Sequence, residues 1–167
     1  MALFTPDIML NKITDIDLSL FEKWGIKGVV LDIDNTLTLH DHPTPAEGVV
    51  QWLDNMKQNG IKFTVASNNT KERVAPFAQK LGVGFEARSC KPLTFGLTRA
   101  CKHFGLKPRE VAIIGDQIFT DILGGNLKGL KTILVVPFEH EKGPFFKLKR
   151  KLEKPIIYIY NRKHGGR

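Results

Sequence analysis

The sequence predicts an α/β domain in which helices cover both faces of a central parallel sheet. Three observations lead there. From Gly28 onward, short runs rich in β-branched residues alternate with helix-like stretches, the rhythm of successive βα units. The chain has 167 residues, 42% of them hydrophobic, enough for one proper core and not comfortably for two. Polar clusters stand just past the ends of the strand-like runs, on the rim where open parallel sheets bind their ligands. Nine Pro and fifteen Gly are ordinary frequencies and exclude a collagenous or low-complexity chain.

Residues 1–27 form a preface. Its Ile8, Met9, Leu10 and Ile13 suit either packing over a sheet edge or contact with a membrane surface, and Asp17 is placed to cap a short helix running through Trp24, with Gly25 after it. GVVLDI then reads as a buried strand around Asp32. Pro45 to Asn59 reads as a helix, with Val49, Val50, Leu53 and Met56 spaced for one face and Gly60 closing it. IKFTVA is the second strand, ending at Ser67. Thr70 to Leu81 is a helix closed by Gly82, Gly84 to Ala87 a short third strand, and Pro92 to Phe104 a helix closed by Gly105. REVAIIG ends at Asp116. Thr120 to Lys128 is the fourth helix of the repeat, with Gly124 and Gly125 letting it lie close to the sheet, and KTILVV the fifth strand, stopped by Pro137.

The formal net charge of +8 is unevenly placed. Residues 1–141 carry sixteen Lys and Arg against sixteen Asp and Glu, whereas residues 142–167 carry nine Lys and Arg against Glu153 alone. The body, 1–141, is thus an electrically ordinary domain, which argues against a general nucleic-acid-binding fold, and 142–167 is a basic C-terminal extension. No apolar run approaches the roughly 20 residues of a spanning helix. The start, MALFTPDIML, lacks a basic leader, so the expected address is the cytosol. Cys90 and Cys101 fit neither a CxxC nor a metal-ligand spacing and read as reduced structural thiols.

Two readings of the extension stay open. If Phe145 to Lys154 is helical, at ~100° per residue Phe145, Leu148 and Leu152 share one face while Lys147, Arg150, Lys151 and Lys154 cluster opposite. Such a helix suits an anionic membrane surface, with Tyr158 and Tyr160 beyond Pro155 at head-group depth, and the protein would then be peripheral to the inner face of the membrane. In the other reading Phe145, Leu148 and the PIIYIY run pack on the domain. The lysines and Arg150 face solvent in both.

Four clusters carry the chemistry. Asp32-Ile33-Asp34-Asn35-Thr36 follows the first strand of the repeat, where two carboxylates can divide labour between attack and proton transfer. Leu37 stands where an EF-hand loop needs Gly, which excludes that alternative. Ser67-Asn68-Asn69-Thr70 offers a hydroxyl and helix-start amides to an anion, or simply caps a helix. Lys91-Pro92 sets a cation at the start of the third helix, and Gly115-Asp116-Gln117-Ile118-Phe119-Thr120-Asp121 adds two acids to the rim.

The ordered set DIDNT, SNN, KP and GDQxxTD resembles the haloacid dehalogenase (HAD) superfamily of phosphohydrolases, and the wording DNTL, SNN, GDQ and TDILGGN resembles its YqeG-type branch, which includes phosphatidylglycerophosphate phosphatases. The resemblance covers roughly residues 6–140 and implies a single HAD-like Rossmannoid domain. It implies Asp32 as the nucleophile that becomes an aspartyl phosphate and Asp34 as the acid that protonates the leaving alcohol and then serves as base. It also implies Mg2+ held by the Asp32 carboxylate, the Asp34 main-chain carbonyl and Asp116, with Asp121 orienting the metal's water shell or Lys91. Ser67 and Lys91 would stabilise the transferring phosphoryl group, with Thr36 and Asn68 joining Lys91 in binding phosphate. The spacings between Asp34, Ser67 and Lys91 leave no room for a cap domain, and an open site suits a bulky substrate such as a lipid phosphate. His40, Asp41 and His42 lie in the loop that would flank the pocket. The alternatives are the same chemistry on a soluble sugar, nucleotide or nucleic-acid-end phosphate, or a non-enzymatic HAD-fold binding module. The sequence leaves the oligomeric state open.

Overall fold

Strands buried on both faces read as continuous apolar runs, and here Val29, Val30 and Leu31 are wholly enclosed. They belong to β2 (Gly28–Leu31), the centre of a six-stranded sheet in the computed structural model, which describes residues 3–40, 42–139 and 143–164 and, at 144–146, the backbone alone. The other strands are β1 (Ile8–Leu10), β3 (Lys62–Ala66), β4 (Gly84–Glu86), β5 (Val111–Gly115) and β6 (Lys131–Val135). Their order is β1-β6-β5-β2-β3-β4 and every pairing is parallel. Val30 stands beside Thr64 on one side and Ile113 on the other.

Alternate side chains feed two layers. Val29 and Leu31 join α1 (Leu18–Trp24), α2 (Val49–Gln58) and α3 (Lys71–Leu81) in a core that includes Phe21, Leu53 and Phe77. Val30 and Ile113 join Leu97, Ala100 and Phe104 of α4 (Phe95–Phe104) on the other face. The short α5 (Leu123–Lys128) lies on that face too, and there Gly125 is obligatory: a Cβ would stand 2.5 Å from Ile113 Cγ2 and 2.6 Å from Thr132 Cγ2. This is the α/β architecture expected, and between Asp34 and Ser67 the described residues form a loop, α2 and β3.

The preface resolves to the sheet edge. Ile8 to Leu10 pair with Ile133 to Val135, Ile13 is buried, Asp17 Oδ1 accepts from the Ser19 amide at 2.8 Å, and Gly25 ends α1 with φ 67°. Three helix starts differ from expectation for local reasons. Gly48, at φ 80°, keeps residues 45–47 out of α2. A turn closed by the Leu93 amide on the Cys90 carbonyl, at 2.8 Å, precedes α4. A π-helical turn, Ile118–Ile122, precedes α5, and it buries Ile118, Asp121 and Ile122 together.

The largest departure lies in the extension. It is one helix, α6 (Pro144–His164), that runs through Pro155 instead of ending there. Proline removes one helical hydrogen bond, at a cost of about 3 kcal/mol in a helix interior. Pro155 faces solvent, so the carbonyl it leaves bare is open to water, and inward contacts on both sides hold the helix down. Glu153 and Tyr160 are buried, Ile156 and Ile157 pack with Met9 against Ile118, Ile122 and Leu134, and the Tyr160 hydroxyl accepts from the Met9 amide at 3.2 Å. Tyr160 is therefore inside the fold and not at head-group depth. Leu148, Leu152 and Ile159 are more than half exposed, as is Tyr158. Lys147, Lys151 and Lys154 face solvent, but Arg150 turns inward, against expectation. The side chain of Phe145 lies outside the described residues. Among those residues no helix is long and apolar enough to cross a membrane. Cys101 is buried, Cys90 exposed, and both are free.

Candidate active site

β2 sends the chain to β3 on one side while β5 hydrogen-bonds to its other side, so the rim between β2 and β5 is the switch point of the sheet. Asp32 leaves β2 there, Asp116 leaves β5, and Ser67 leaves β3. The chain beyond β4 returns along the same rim and delivers Lys91. Its ammonium lies 2.6 Å from Asp32 Oδ1 and 2.6 Å from Asp121 Oδ1, with 5% of the residue exposed. Asp121 reaches this point because residue 115 is glycine: a Cβ on Gly115 would overlap the Asp121 carboxyl group.

Burial pushes Asp32 up to about 7, against the pull of the Lys91 ammonium. Burial also works against the charge on Lys91, but the Asp121 and Asp32 carboxylates outweigh it and hold the ammonium above the usual lysine range. Asp116 is pushed well above the carboxylate range by burial, with Arg150 opposing.

A cleft of about 250 Å³ opens over these groups, lined by Asp32, Asp34, Ser67, Asn68 and Lys91, with His40, Asn69, Gln117, Thr120 and Lys149. Most of the residues expected from sequence meet here, but their surroundings differ in kind. Asp34 is held at both oxygens, by Arg73 Nη2 at 3.0 Å and Asn69 Nδ2 at 2.8 Å. Ser67 Oγ accepts from the Asn69 amide at 3.1 Å, a helix-start contact within the cleft. The Asn68 side chain is committed to the Lys91 main chain, accepting from its N–H at 2.8 Å and donating to its carbonyl at 2.9 Å. It thereby positions the lysine, where a direct phosphate contact was expected. Thr36 is 1% exposed and its hydroxyl lies outside the cleft lining. His40 reaches the cleft, His42 turns to Thr44, and Asp41 lies outside the described residues.

Asp116 stands behind the cleft, on a second cavity of about 440 Å³ between β1, β6 and α6. There Arg150 grips it: Nη2 contacts Asp116 Oδ2 and Nη1 donates to the Asp116 carbonyl at 2.7 Å. Asn69 lay in the expected SNN cluster without an assigned role, and sequence reasoning missed Arg73, Lys149, Arg150 and Glu153. The one available signal was Glu153, the sole acid among nine basic residues of the extension.

The residues present fit a divalent cation. Asp32, Asp116 and Asp121 each offer an oxygen, the three within 4.8 Å of one another, and Asp116 Oδ1 is buried without a hydrogen-bond partner among the described residues. Carboxylate and carbonyl oxygens are the ligands a small hard ion prefers.

A one-domain Rossmannoid fold with acids, a lysine and a hydroxyl on the switch-point rim defines a class of hydrolase. The chain belongs to the haloacid dehalogenase-like hydrolase family, whose model matches residues 38–127, and it is an enzyme of the phosphatase type. It is 37% identical to the probable phosphatase YqeG of Bacillus subtilis over 96% of this chain and 93% of that one. It is 27% identical to phosphatidylglycerophosphate phosphatase 1 of Arabidopsis thaliana over 95% of its own length, and spans about half, 48%, of that relative. Its fold matches the 3-deoxy-D-manno-octulosonate 8-phosphate phosphatase of Moraxella catarrhalis, a crystal structure containing magnesium and phosphate, with a TM-score of 0.52 and 23% identity over 72% of this chain and 75% of that one.

Proposed function

We propose that the protein is a magnesium-dependent phosphomonoester hydrolase that works through an aspartyl phosphate on Asp32 and acts on a lipid phosphate, of the phosphatidylglycerophosphate kind, at a membrane surface. The observation that carries the chemistry is the pair of 2.6 Å contacts that holds Lys91 between Asp32 and Asp121 on an open rim. An Asp32 oxygen attacks phosphorus and the bond from phosphorus to the ester oxygen breaks. Asp34 gives its proton to the departing alkoxide. Water then attacks the same phosphorus, Asp34 takes the water's proton, and the bond to Asp32 breaks to release phosphate and restore both acids. Lys91 and Ser67 meet charge on the equatorial oxygens, donors worth roughly 3 kcal/mol each in such sites. Arg73 and Asn69 keep Asp34 aimed. Asp32, Asp116 and the Asp34 carbonyl would hold the cation, whose charge offsets the repulsion between carboxylate and phosphate.

The lipid reading draws support from the outer face of α6. Leu148, Leu152, Pro155 and Ile159 line up within roughly 60° at 100° per residue. Lys147, Lys151 and Lys154 stand to one side with Tyr158, an amphipathic surface suited to anionic head groups. The names of the Arabidopsis relative and of a yeast relative, phosphatidylglycerophosphatase GEP4, 27% identical over 77% of this chain, point the same way. A phosphate-release assay tests both parts. With Mg2+ the protein should hydrolyse an aryl phosphate and, faster, phosphatidylglycerophosphate in anionic vesicles, and EDTA should abolish both. Equal rates with and without metal would overturn the mechanism, and preference for a soluble phosphate would overturn the substrate.

A further inference from the structure

Arg150 and Glu153 belong to α6, in the basic extension, and the partly buried arginine and the buried glutamate are both aimed at the loop after β5. Glu153 is 1% exposed. Its Oε1 accepts from the Ile118 amide at 2.9 Å and its Oε2 from Arg150 Nη1 at 2.9 Å. Arg150 passes the connection on to Asp116, at both the carbonyl and Oδ2. The pair thus fastens the loop at residues 116 and 118, and it occupies one oxygen of the Asp116 carboxylate while Oδ1 stays buried, with no partner among the described residues.

We propose that Arg150, braced by Glu153, is a positioning residue that fixes Asp116 with one carboxylate oxygen turned to the divalent cation. A planar guanidinium can take a carboxylate oxygen and a main-chain carbonyl together, so it sets both the rotamer of Asp116 and the path of its backbone. Outer partners that orient a ligating carboxylate typically govern metal affinity by about 10- to 100-fold. The inference rests on the reading of Asp116 as a cation ligand, and the competing physical effect has the opposite sign. Arg150 is a positive charge beside the site, so Coulomb repulsion alone makes its removal strengthen cation binding.

Calorimetric titration of the full chain with Mg2+ alone decides between them. Arg150→Gln should weaken binding about 10- to 100-fold, Glu153→Gln should weaken it less, and Arg150→Lys, which keeps the charge and loses the fork, should recover only part. Unchanged or tighter binding by Arg150→Gln overturns the proposal, the latter marking Arg150 as a competitor. Tyr160→Phe loosens the docking of α6 far from Asp116. If it weakens Mg2+ binding as much as Arg150→Gln, the effect belongs to docking in general and the proposal falls. Asp116→Asn isolates the underlying reading: if that variant binds Mg2+ like the unaltered protein, Asp116 is no ligand, and the positioning role falls with it.

Discussion

The two sides of the active site are built by different means. On the β2–β3 side, Asp32, Asp34, Ser67 and Asn69 come from the first residues past two adjacent strands, and α3 adds Arg73 from its own first turn. On the β5–β6 side, Asp116 and Asp121 come from the loop after β5, but the groups that hold Asp116 arrive from α6, 34 residues further along. The first side is anchored by the sheet itself. The second depends on a helix whose inner face packs on the rim and whose outer face carries Leu148, Leu152 and lysines into solvent. A single element therefore holds the loop that presents Asp116 with one face and exposes apolar and basic side chains on the other.

Substitutions can press on each side separately. Asp32→Asn should have the largest effect, cutting turnover of an aryl phosphate at least about a thousandfold with the fold intact, because it removes the attacking group. Activity above a few per cent would place the nucleophile elsewhere. The same variant should alter pH dependence. In the metal-free protein Asp32 keeps its proton up to about pH 7, while in the unfolded chain it ionises in the ordinary carboxylate range, so the folded state binds the extra proton between about pH 4 and pH 7. Stability should accordingly fall as pH rises through that window, and urea midpoints of Asp32→Asn should lack this component of the decline.

Next in size, Lys91→Ala should slow turnover about 100- to 1000-fold. It should also destabilise the metal-free protein by about 3 kcal/mol or more, since it leaves two carboxylates at the site without their shared cation. Chelator-treated denaturation curves give the second number. Arg73→Ala removes one of the two partners that aim Asp34 and should lower kcat about tenfold with KM little changed. If kcat holds, Asn69 alone orients the acid. Smallest of all for a soluble substrate is reversal of Lys147, Lys151 and Lys154 to Glu, which should leave aryl phosphate turnover within about twofold because these side chains face solvent. Binding to anionic vesicles should fall by on the order of 1 kcal/mol for each basic residue lost. Unchanged sedimentation with vesicles would remove the membrane role of α6.

What could be read from sequence follows the same division. Asp32, Ser67 and Asp116 were legible because each is the first polar residue after an apolar run, and strand ends are local features. Gly125 was legible in kind, as a close approach of helix to sheet. Arg150 was not, because its partner is set by where α6 lands, and helical periodicity cannot tell a solvated arginine from one turned inward. Pro155 misled for a related reason: the rule that proline ends a helix ignores packing on both sides of it, here Glu153 before and Ile157 and Tyr160 after. Asn68 and Thr36 stand in the right motifs, but the first is engaged by the main chain of Lys91 and the second is enclosed, outcomes that depend on the loop after β4 and its return path.

The pairing of β1 with β6, and of Met9 with Tyr160, has a consequence for biosynthesis. A ribosome releases β1 long before the strand it must lie beside, and Tyr160 closes a loop of 151 residues on Met9. During translation the strand of Ile8 to Leu10 lacks its partner until Ile133 to Val135 have been made. The sheet can complete itself only when β6 appears, and Asp116 gains its arginine only after that. A chain stopped before α6 would thus carry every motif of the catalytic rim but lack the arginine that grips Asp116, 34 residues further along.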